Sequence, residues 1–82
     1  LIRLNEWKNV AKLDSKYISK YAKDFPDRED IAETINWWVA VRCKQDTISI
    51  SNYKKILKNI PNRLKFLDEQ KFDTYPLVCK NK

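Results

Sequence analysis

No glycine occurs anywhere in these 82 residues. Glycine is the residue that takes left-handed backbone angles without steric cost, so tight primed hairpin turns lose their usual residue here. A β-rich fold with short turns is therefore disfavoured. The same absence removes the glycine-rich phosphate loop, the dinucleotide fingerprint, the nucleophile elbow and the EF-hand loop. Histidine is missing as well. That takes away the commonest general base, a frequent zinc ligand and the usual partner of a Ser or Cys nucleophile. What remains reads as an all-α domain with no catalytic machinery of its own.

Apolar periodicity fills in the helices. A lead-in over residues 1–25 carries Leu4, Trp7, Val10 and Leu13 at helical spacing, then Tyr17, Ile18 and Tyr21. Asp14-Ser15 is the candidate N-cap for the second of these pieces, and Phe25-Pro26 ends it. A central helix is expected over residues 27–44. Asp27 is its candidate N-cap, Asp30 completes a near-capping box, and Asp27, Glu29 and Asp30 put negative charge at its start. From Ile31 to Val41 this helix is apolar on nearly every side, the pattern of a segment enclosed by its neighbours. A chain this short has little to enclose it with, so Trp37 or Trp38 is expected to keep some exposed surface. That surface marks either a self-association patch or the face of a missing domain.

A second helical stretch is expected over residues 51–70, opened by Ser49 or Ser51. Its apolar stripe is Tyr53, Ile56, Leu57, Ile60, Leu64 and Leu67, with Lys54, Lys55, Lys58, Arg63 and Lys65 opposite. Pro61 inside it predicts a kink or two abutting helices with Pro61 in the first turn of the second. Residues 71–82 read as an irregular tail, with Tyr75-Pro76 extended and Leu77 and Cys79 held against the core. The expected architecture is a small bundle of three to four helices around the central apolar helix.

Charge is uneven. Residues 1–41 hold seven cations and seven anions, while residues 42–82 hold ten and four and so carry the whole net charge of +6. Such a balance suits nucleic acid or an anionic surface, although a lysine-rich stripe is ordinarily a solvated helix face. Thirteen of the seventeen cations are lysine and only four are arginine. Bidentate recognition of phosphate and guanine favours arginine, so nucleic acid is a disfavoured partner. Tyr17, Tyr21 and Phe25 interleave with Lys16, Lys20 and Lys23, a pattern that could stack on bases but also fits core spacing. The longest apolar run, residues 37–41, is far too short to span a bilayer.

Cys43 and Cys79 permit one disulfide or two free thiols. The chain opens at Leu1, as a trimmed or larger protein would, and a disulfide would place it in a secreted or extracellular setting. Glu29 and Glu33 stand one helical turn apart on one face, where two acids repel unless a cation or a metal sits near them.

The stretch Tyr17-Ile18-Ser19-Lys20-Tyr21-Ala22, the polar loop after it and Glu29-Asp30-Ile31-Ala32-Glu33 resemble a region of gluzincin-like zinc metallopeptidases, the group of the lethal-factor-like catalytic domain and secreted bacterial relatives. Ile60-Pro61-Asn62-Arg63-Leu64 and Phe66-Leu67-Asp68 resemble the C-terminal end of such proteins. The resemblance implies that Glu29 is a third zinc ligand, that Glu33 orients another ligand from behind, and that Tyr21 steadies an oxyanion in a complete parent enzyme. The HExxH motif of that family is absent here. The chain therefore reads as a catalytically inactive C-terminal segment of a zinc-metallopeptidase-like protein, with zinc and the rest of the parent supplied from elsewhere. The alternative is a small secreted, disulfide-pinned, basic helical binding module of signalling, toxin-like or host-interaction type.

Overall fold

Two prolines and two serines set most of the helix boundaries in the computed structural model, which describes residues 2–73 and Cys79. Helix α1 runs Leu4–Ala11 and unwinds through turns in which the Leu13 and Asp14 N–H groups donate to the Val10 and Ala11 carbonyls. The short α2, Lys20–Asp24, is capped by Ser19, whose hydroxyl accepts from the Ala22 N–H at 3.0 Å. It stops at Phe25, the residue before Pro26, where the helical conformation is disfavoured. Helix α3 spans Glu29–Cys43, and a 3-10 turn at Gln45–Thr47 follows. Ser49 caps α4, Ile50–Asn59, by accepting from the Asn52 N–H at 3.1 Å. Helix α5, Pro61–Glu69, begins at once.

The α4–α5 junction needs only one residue. Ile60 ends α4, its N–H donating to the Ile56 carbonyl at 3.1 Å, and its own carbonyl accepts from the Leu64 N–H to open α5. Pro61 takes the first turn of α5, where its missing N–H costs nothing. The stretch expected over 51–70 is thus two helices.

The architecture among the described residues is all-α, a small bundle of five helices with α3 against α2 and α5, α1 against α5, and α4 against α5. Helix α5 therefore meets three others and shares the centre of the molecule with α3. Trp7, Trp38, Val41, Ile56, Ile60, Leu64 and Leu67 form the buried core.

Helix α3 differs from its expected form in an informative way. Its buried face is Asp30, Thr34, Trp38 and Val41, a stripe that is half polar. Ile31, Ile35, Trp37 and Val39 flank that stripe and are only partly covered. Trp38 is 5% exposed, which removes it from the expected self-association patch, while Trp37 is half-buried.

The helix start is also corrected. Arg28, not Asp27, occupies the N-cap position, with no side-chain cap. The Glu29 N–H instead donates to the Phe25 carbonyl at 2.8 Å, an acceptor delivered by the Phe25-Pro26 turn. Asp27 is free to pair with Lys8 at 3.1 Å across the surface. Asp30 does not close a capping box; it turns inward.

Cys43, the last residue of α3, is disulfide-bonded to Cys79. The bond fastens Cys79 to the end of the central helix. The expected positions of Tyr75, Pro76 and Leu77 lie outside the described residues, as does Leu1.

Candidate functional site: a buried charge cluster beneath a cleft

Arg63 is the centre of the site and is fully buried. Its position follows from the register of α5: Ile60, Arg63, Leu64 and Leu67 fall at the i, i+3, i+4, i+7 spacing of one helix face. Sequence reasoning set Arg63 among the lysines opposite the stripe because of its charge. Its spacing was the signal that pointed inward.

The guanidinium is met on several sides. Nε donates to Asp30 Oδ2 at 3.0 Å, and Nη1 donates to Asp14 Oδ2 at 3.1 Å and to the Lys16 carbonyl at 2.9 Å. The Tyr17 ring centroid lies 4.9 Å from Arg63 Cζ and that of Trp7 6.0 Å, both within cation–π range. Trp7 also donates its Nε1–H to Asp30 Oδ2 at 2.9 Å.

Asp14 has a second task. Its Oδ1 accepts from the Asn62 N–H at 2.9 Å and its Oδ2 from the Arg63 N–H at 3.1 Å. Those are orphan donors in the first turn of α5, so Asp14 caps a helix 48 residues further along the chain. The expected role of Asp14-Ser15 in opening the next helix passes to Ser19, which sits immediately before α2.

Two carboxylates face one guanidinium, so the cluster carries a formal charge of −1. Three buried polar atoms in or beside it have no hydrogen-bond partner: Asp30 Oδ1, Thr34 Oγ1 and Arg63 Nη2. Above the carboxylates opens a cleft of about 610 Å³. Asp14 and Asp30 form its floor, Trp7 and Tyr17 its walls, and Lys8 and Lys12 stand at its α1 side. Of these residues only Tyr17 was singled out from the sequence, as an aromatic that could stack on bases.

The residues that were singled out lie elsewhere. Tyr21 is 51% exposed and packs its ring edge-on against Phe25, centroids 5.1 Å apart. Glu29 is partly covered and faces the Arg28 guanidinium at 3.5 Å. Glu33 accepts a 2.6 Å hydrogen bond from Ser19 Oγ, the hydroxyl that caps α2. The structure thus joins Glu33 to Ser19 across α2 and α3. Among the described residues Tyr21 makes no hydrogen bond to either glutamate.

The fit to zinc follows from the donor set. Among the described residues, no three His, Cys, Asp or Glu side chains are placed to hold a metal ion. In this chain Glu29 and Glu33 stand without histidines, and Glu33 is engaged by Ser19.

The remaining feature is the surface of α4. This helix has Lys54, Lys55 and Lys58 exposed and no acidic residue. Lys65 extends the charge onto α5. No helix among the described residues is long and apolar enough to cross a membrane. A comparison of the chain with protein-family models, curated proteins and solved structures finds no match.

Proposed function

We propose that this chain is a small disulfide-pinned basic helical binding module that works outside the cytosol and docks on an acidic surface of another protein. The carrying observation is the lysine face of α4, three exposed cations with no acid on the same helix. A field of one sign speeds encounter with a surface of the opposite sign and sets which partners are rejected. The Cys43–Cys79 bond supports the extracytosolic setting, because such bonds persist in oxidising compartments.

A protein partner is favoured over nucleic acid by the fate of the arginines. Arg63 is buried, and Arg42 is held by Asp68 through two hydrogen bonds of 2.9 Å. Only Arg3 and Arg28 remain exposed, and Arg28 faces Glu29. The outward charge is therefore mostly lysine, which lacks the planar fork that reads phosphate and guanine.

The test compares the chain with Lys54→Glu/Lys55→Glu/Lys58→Glu on three probes: poly-L-glutamate, a DNA duplex and phosphatidylserine vesicles. Binding to polyglutamate that weakens with salt and falls about tenfold or more in the variant supports the reading. Tighter binding to DNA or to vesicles than to polyglutamate overturns it, as does binding unchanged in the variant.

The second reading is the inactive C-terminal segment of a zinc-metallopeptidase-like protein. It is supported by one contact, Ser19 with Glu33, which joins the two halves of the resembling stretch. In that reading Glu29 is a zinc ligand only within a longer parent. Metal analysis of the parent with and without Glu29→Gln tests it, and zinc content unchanged by the substitution removes it.

A further inference from the structure

We infer that the cleft above the buried charge cluster is a binding site for a small zwitterion, its ammonium end on Asp30 and its acidic end toward Lys12. The volume of about 610 Å³ lies within the range of small-molecule sites, roughly 300–1,000 Å³. The floor selects the inner group. Both oxygens of Asp14 are occupied, by Asn62 on one side and Arg63 on the other. Asp30 is 1% exposed; its Oδ2 accepts from Trp7 and Arg63, but its Oδ1 has no partner. A buried acceptor without a donor is costly, and on a cluster of formal charge −1 the best-matched donor is a cation.

The α1 side selects the outer group. Lys8 and Lys12 are one turn apart on the helix face that borders the cleft. Lys8 is neutralised by Asp27 at 3.1 Å, while Lys12 makes no ion pair among the described residues. A plain cation meets repulsion at Lys12, and a plain anion meets it at the floor. A molecule with a positive end inward and a negative end outward satisfies both. Tyr17 and Trp7 supply apolar walls for the carbon chain between.

The test uses the full chain with its disulfide intact and reads the Trp7 indole N–H by NMR, because that proton is donated to Asp30. The probes are γ-aminobutyrate, n-butylammonium and butyrate. The expected result is a saturable shift with γ-aminobutyrate, a weaker response to n-butylammonium and none to butyrate. Lys12→Glu, at an exposed position, is expected to weaken γ-aminobutyrate by about tenfold and to strengthen n-butylammonium. Ala11→Trp, which fills the cleft from α1, is expected to abolish both responses. A flat titration, a response to butyrate, equal affinity for the two amines, or affinities unchanged in Lys12→Glu overturns the inference.

Discussion

Asp14 and Arg63, separated by 49 positions in the chain, are joined twice over: Asp14 Oδ2 accepts from the backbone N–H of Arg63 and from its Nη1, both at 3.1 Å. One oxygen thus fixes both where α5 starts and which way its buried guanidinium points. The same side chain ties the loop after α1 to the helix that meets most of the others. In a chain with a small apolar core, a buried polar cluster of this kind specifies the register of three segments at once. Two charges out of water are nonetheless a weak source of net stability, and the cluster's larger effect is to make its own members hard to remove singly.

Arg63→Met is therefore expected to be far worse than its good fit to an apolar site suggests. It leaves Asp14 and Asp30 buried without their counter-charge, a loss of about 3–5 kcal/mol. For a domain of this size that approaches the whole stability. Urea unfolding followed by tryptophan fluorescence measures it. Adding Asp30→Asn to Arg63→Met is expected to recover part of the loss, because the second change removes the charge the first one strands. A loss below about 1 kcal/mol in the single variant contradicts the account.

Asp14 and Ser15 give a sharp comparison at adjacent positions. Asp14→Ala removes the cap of α5 and one carboxylate from Arg63, and is expected to cost about 2–3 kcal/mol. Ser15 is exposed and caps nothing among the described residues. Ser15→Ala is expected to stay within about 0.5 kcal/mol of the parent. Equal effects of the two substitutions in the same urea titration contradict the assignment of the cap to Asp14.

The elements that were legible in the sequence are those whose signals are local. Pro61, Ser49 and the Phe25-Pro26 dipeptide each mark a boundary by their own covalent chemistry, and the helices lie where they point. The cluster was not legible for the opposite reason. Asp30 stands in the first turn of a helix, where acids normally serve the dipole, and Asp14 lies where a local cap is expected. Their partner is more than thirty positions away in each case. Only Arg63 carried a readable sign, its place on the Ile60–Leu64–Leu67 face. The central helix misled because its apolar residues outnumber those it buries: Ile31 and Ile35 flank the half-polar stripe that faces inward.

The Cys43–Cys79 bond closes a loop across a sequence separation of 36 residues. In the chain-entropy model this contributes roughly 3–4 kcal/mol by restricting the unfolded chain. Cys43→Ser/Cys79→Ser is expected to lower the urea midpoint accordingly. Adding a reductant is expected to lower the parent to the level of the variant and leave the variant unchanged. A reductant effect that persists in the double variant contradicts the assignment.

Asp68 binds the outer end of α3 to α5 in the way the buried cluster binds its inner end. Its Oδ1 accepts from Trp38 Nε1 at 2.8 Å and from Arg42 Nε at 2.9 Å, and its Oδ2 accepts from Arg42 Nη2 at 2.9 Å. The pair is mostly covered, the Arg42 and Asp68 side chains being 13% and 16% exposed, so water replaces the lost acceptor poorly. Asp68→Ala strands an indole N–H and a guanidinium together and is expected to cost about 2–3 kcal/mol. Arg42→Lys keeps the charge but loses the planar two-point match, and is expected to cost about 1 kcal/mol. The urea midpoints of the two variants decide the matter. Arg42→Lys as damaging as Asp68→Ala would mean that the arginine fork, and not the shared carboxylate between Trp38 and Arg42, holds α5 against α3.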